Sequence, residues 1–85
     1  MNTQGTIKAG GLEFARNGDN IIDVYRFGDL VAAIHNRDGQ AKTVVWSYFL
    51  SSAELSALLG AAMEFQIVLN NRRKSEELNL LKGGE

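Results

Sequence analysis

The chain has 85 residues with no cysteine, no proline and one histidine, which excludes disulfides, a Cys/His structural metal site and a His-His metal pair within one chain. A single domain of this size buries only about 60–65% of its unfolded surface, so added stability has to come from idealised packing or from oligomerisation. Nine basic and ten acidic residues give a net charge of −1, five and five over residues 1–50 and four and five over residues 51–85; the basic surplus of a duplex-DNA binder is absent.

In chain order, Met1-Asn2-Thr3-Gln4-Gly5 has no charged stretch followed by an apolar one, so no secretory signal is expected and the default location is cytoplasmic. Asn17-Gly18 and Asp38-Gly39 are two-residue hairpin signals, and Phe27-Gly28-Asp29 is a third reversal. These turns predict four strands, at about 7–16, 20–27, 30–36 and 41–50, joined as an antiparallel meander. Gly10-Gly11 inside the first predicts a bulge or a break.

Alternation places Ile22, Val24 and Arg26 on one face of the second strand and Asp23, Tyr25 and Phe27 on the other. In the third, Leu30, Ala32 and Ile34 oppose Val31, Ala33 and His35. In the fourth, Val44, Trp46, Tyr48 and Leu50 oppose Thr43, Val45, Ser47 and Phe49, and the Trp46 stripe is expected in the core. Both faces carry apolar groups, so the second face is expected to be covered or to bind something.

Leu50-Ser51-Ser52-Ala53-Glu54-Leu55 is a capping box with a hydrophobic staple. It predicts a helix over 52–73. Leu55, Leu58, Leu59, Ala62, Phe65 and Leu69 follow helical spacing, and Met63, Ile67 and Val68 widen the apolar stripe beyond what one sheet covers. Those first six residues are the expected seam of a helix-mediated homodimer, with Gly60-Ala61-Ala62 permitting close approach. Asn70-Asn71-Arg72-Arg73-Lys74 is expected to end the helix, with positive charge facing its dipole. A short second helix, a tail or a frayed continuation of the first helix follows over 75–85, with Leu78, Leu80 and Leu81 free to dock on the body or on a partner. The longest purely apolar run, Ile67-Val68-Leu69, is too short for a bilayer, so no membrane partner is expected. The fold class is α+β: one domain over 1–85, a four-stranded antiparallel meander followed by one long C-terminal helix.

Catalysis is not expected. His35 stands alone, and Asp19, Asp23, Asp29 and Asp38 sit in or beside turns that favour aspartate. The glycines from Gly5 to Gly11 lack a Gly-Lys-Ser/Thr ending and a following helix, and no serine sits in a nucleophile elbow. No cofactor, metal or small-molecule substrate is implied. The candidate sites are therefore surfaces. Arg16, Arg26, Arg37 and Lys42 lie near Tyr25, Phe27, Trp46 and Tyr48, and basic groups interleaved with aromatics suit single-stranded nucleic acid.

Ala33-Ile34-His35-Asn36, followed sixteen residues after Ile34 by Leu50 and then Ser51-Ser52-Ala53-Glu54-Leu55-Ser56-Ala57-Leu58, is similar to bacterial members of the positive-cofactor-four and Whirly-type single-stranded DNA-binding proteins. Those have an Asp-Ile-Arg third strand, a fourth strand ending in Thr-Leu and a Glu-rich helix start. The resemblance covers about 20–60. Ala33 stands for the acid, His35 for the arginine, and Trp46-Ser47-Tyr48-Phe49-Leu50 for Gly-Ile-Thr-Leu. It implies a homodimer with paired helices and sheets that hold a single strand, with Arg37 and Lys42 as phosphate contacts and Arg26 and His35 on neighbouring strands. Two functions are thus expected: a homodimeric single-stranded nucleic-acid binder, such as a transcription accessory factor, or a protein-interaction module or small inhibitor acting through the apolar helix face and the C-terminal tail.

Overall fold

The computed structural model describes residues 6–47 and 49–83, with side chains as far as 76. Five strands, not four, precede the helix: β1 (Thr6–Ala9), β2 (Leu12–Arg16), β3 (Ile21–Arg26), β4 (Asp29–Arg37) and β5 (Gln40–Val45), then α1 (Ser52–Gly83). They form one antiparallel sheet in the order β1-β2-β3-β4-β5. The extra strand comes from Gly10-Gly11. Both glycines adopt positive φ, 61° and 89°, so they form a two-residue reversal that splits the expected first strand into a hairpin. Phe27-Gly28 and Asp38-Gly39 turn in the same way, with both residues at positive φ. Asn17-Gly18 does not: only Gly18 is at positive φ, and the connection runs over 17–20, closed by the Asn17 N–H donating to the Ile21 carbonyl at 2.9 Å.

The helix-side face carries the core. Leu12, Phe14, Val24, Ala32 and Ile34 from the sheet meet Leu58, Phe65 and Leu69 from α1. Ile22 and Val24 share this face as alternation requires, and Arg26 follows them toward the start of α1. β4 departs from strict alternation. Val24 pairs with Ala32 but Tyr25 pairs with Leu30, leaving Val31 as an inserted residue. The bulge turns Val31 into the core and Leu30 out of it, to 47% exposure, although Leu30 was expected to share a face with Ala32 and Ile34. β5 stops at Val45. Its Val44 pairs with Ala33 on the face away from the helix, and Trp46, expected in the core, is 54% exposed beyond the strand end.

α1 begins as the capping box requires. Ser51 Oγ accepts from the Glu54 N–H at 3.1 Å, and Glu54 Oε1 accepts from the Ser51 N–H at 2.8 Å. Leu50 packs against the core, while Leu55 stays half exposed. The helix does not stop at 73 but continues to Gly83, because nothing from Lys74 to Lys82 breaks it. Arg72 and Arg73, expected to close the helix, instead clasp sheet loops. Arg72 donates to the Asp19 carbonyl at 2.8 Å and Arg73 to the Gly39 carbonyl at 3.5 Å. Gln66 holds the outer edge of β5: its Oε1 accepts from the Ala41 N–H at 2.9 Å and its Nε2 donates to the Gly39 carbonyl at 3.0 Å. That occupies edge groups otherwise open to another strand.

Candidate interaction surfaces

Arg26 ties the front of α1 to the sheet. Its Nε donates to Glu54 Oε2 at 3.0 Å, and its guanidinium also reaches Glu54 Oε1 at 3.1 Å and the Phe49 carbonyl. Hydrogen bonds from the Ser51 N–H, then from Arg26, hold the Glu54 carboxyl below the usual carboxylate range. Arg26 is thus engaged at the β5–α1 connection and is withdrawn from the expected phosphate-binding set.

The other expected cations divide. Arg16 pairs with Ile22 in the register and so lies on the helix side. His35 pairs with Lys42 on the opposite, open face, with Arg37 two residues further along β4. Tyr25 shares that face, as do Glu13, paired with it, and Asp23, which accepts from Asn17 Nδ2 at 3.0 Å. Three of the five cationic candidates therefore converge at one end of the open face, with acids further along it. Tyr48 lies outside the described residues, as do the side chains of Leu78, Leu80 and Leu81. Phe27 and Phe49 are 96% and 83% exposed.

The expected helix seam also divides. Leu58, Phe65 and Leu69 lie inside their own protomer, against the sheet, and Ala62 is partly buried there. Leu55 and Leu59 remain exposed, and the exposed row continues through Met63 and Ile67, at 59% and 58%. From Leu55 to Leu69, Glu64 is the one charged residue. An α-helix apolar on every side belongs inside a larger packed body. Within Ser52–Glu76 an 18-residue window reaches a mean hydropathy of 1.3 with 17% of that window buried, which by length and composition alone is enough to cross a membrane. The uninterrupted run Ile67–Leu69 hid this, because small residues and serines separate the larger apolar ones. Contacts from Gln66, Arg72 and Arg73 nevertheless hold α1 along its own sheet.

Beside α1, over β1 and β2, lies a groove of about 670 Å³. Ile7, Phe14 and Ile22 line its strand side, and Ala57, Gly60, Ala61 and Val68 its helix side. Arg16 and Glu64 are its charged lining; neither forms an ion pair or side-chain hydrogen bond among the described residues. No sequence expectation included this groove. The signal was Gly10-Gly11, since a hairpin there widens the sheet beyond one helix. Among the described residues no cluster of three or more His, Asp or Glu side chains is placed to hold a metal ion. No protein-family model matches the chain, and neither does a curated protein or a solved structure.

Proposed function

We propose that the protein is a non-enzymatic interaction module that works by burying the outer face of α1 against another protein chain. The carrying observation is the row Leu55, Leu59, Met63 and Ile67, each more than half exposed on a helix whose opposite face is already packed. Four large apolar side chains aligned on one helix face form a docking patch, unlike scattered surface leucines. A photoreactive amino acid at position 63 tests the reading in the cells that make the protein. Crosslinking to a protein chain is expected from position 63 and not from position 42 on the open face. Absence of protein crosslinks at 63 contradicts it.

A second reading has its own observation. Lys42 directly opposite His35, with Arg37 and Tyr25 on the same face, suits a single nucleic-acid strand lying on the open sheet. Binding of labelled oligothymidine at low salt that weakens as salt rises supports this reading; no binding at low salt removes it.

A further inference from the structure

The sheet is wider than its helix. Five strands spaced ~4.8 Å apart make a layer roughly 20–24 Å across, whereas packed helices sit about 8–10 Å apart. One helix therefore leaves part of the helix-side face uncovered. The start of α1 rests on the β1–β2 turn at Gly10, and Leu12 and Phe14 of β2 are already buried. The groove beside it, over β1 and β2, forms a second berth with an apolar lining.

We propose that α1 of a second copy fills this berth, reciprocally, so that two five-stranded sheets enclose a pair of helices. The inference rests on the reading of α1 as a protein-binding surface and names its partner. A two-fold contact requires each chain to carry both halves of every interaction. This chain does: it has a groove lined by exposed Ile7, half-buried Ile22 and the edge of buried Phe14, and an uncovered helix face at Leu59, Met63 and Ile67. In the enclosed arrangement the face of α1 turned away from its own sheet lies on the partner's sheet, so both surfaces disappear together. A lipid or a peptide in the groove would leave the outer face bare.

Two details of the groove fit the same occupant. A Cβ at Gly60 would meet no atom within 4 Å, so no crowding inside the protomer calls for glycine there. Beside Ala57 and Ala61 it lets a second helix come close. Arg16 and Glu64 lie in one groove, of opposite sign and without ion-pair partners among the described residues. Two-fold pairing sets Arg16 of each copy against the partner's Glu64, twice over.

Sedimentation equilibrium on the full chain at micromolar concentration tests this. The expected mass is twice the 9.3 kDa of one chain. Gly60→Phe is expected to give a monomer with undiminished helical circular dichroism, because the protomer has open space at that position. Arg16→Glu and Glu64→Arg, both at groove positions outside the core, should each weaken the dimer roughly fivefold or more at low salt, and the double exchange should restore it. A monomeric wild type overturns the proposal, as does a dimer indifferent to Gly60→Phe or a double exchange that fails to restore. If position 63 still crosslinks to a different protein, only the partner's identity is lost; without any protein crosslink the interaction reading falls too.

Discussion

At Gly10 the helix and the β1–β2 turn come close together. A Cβ there would lie 2.5 Å from the Ala53 carbonyl oxygen and 2.9 Å from the Ala57 Cβ, and its φ is +61°. Gly10→Ala meets backbone as well as an unfavourable conformation and should cost about 1–3 kcal/mol by denaturant unfolding. Gly11 shares the positive φ but has only Glu54 Oε2, at 3.9 Å, near its Cβ position, so Gly11→Ala should cost visibly less; equal losses would show that the helix does not rest on this turn. Phe27 presents the opposite case, a bulky side chain at φ +51° with nothing covering it. Phe27→Gly should stabilise the protein by about 1 kcal/mol in a thermal or denaturant melt, and a loss would show that the ring packs in solution. Glu54 brings a pH dependence. The Ser51 N–H and Arg26 lower its folded value, so its contribution is full above the unfolded carboxylate value and is lost as pH falls through the folded one. Melting temperature should therefore decline in acid, and Glu54→Gln should flatten that acid limb while lowering the neutral plateau; parallel curves would contradict the role of the box.

At the scale of elements, α1 has two kinds of apolar side chain. Leu58 is 5% exposed and sits in the core, so Leu58→Ala should cost about 2–5 kcal/mol. Met63 is 59% exposed, and Met63→Ala should change protomer stability by less than about 0.5 kcal/mol when measured dilute enough to keep chains apart. Similar losses at the two positions would mean that the outer face is already covered. This distinction was only partly legible beforehand. Helical spacing put Leu58, Phe65 and Leu69 on one face correctly, but spacing does not say whether that face meets its own sheet or another chain. The capping box was readable atom by atom because its contacts are local. The Val31 bulge was not, because it depends on how β3 and β4 register against each other, and that slip moved Leu30 to the open face. Trp46 misled for a related reason: alternation assumed that β5 continued through it, whereas the strand ends at Val45. Arg26 looked like a surface cation until the fold brought Glu54 to it from 28 residues away.

For the whole molecule, the longest dimension is 52 Å, and 32 helical residues at ~1.5 Å each account for about 48 Å of such a length. The nine-residue β4, the longest strand, covers only about 30 Å at ~3.3 Å per residue. Arg72 and Arg73 bind the sheet loops, and α1 continues ten residues beyond them to Gly83. A short, wide sheet under a long helix with apolar residues on all sides leaves the protomer with an open groove and a bare helix face at once. Both surfaces are apolar, and the groove carries one residue of each sign, Arg16 and Glu64, so under the proposed pairing self-association removes both surfaces from water at once.

Measuring the mass of the full chain by sedimentation equilibrium, with and without Gly60→Phe, tests this most directly. A wild-type dimer that the substitution converts to a folded monomer is the expected result. A wild type that stays at one chain's mass across the micromolar range would contradict it.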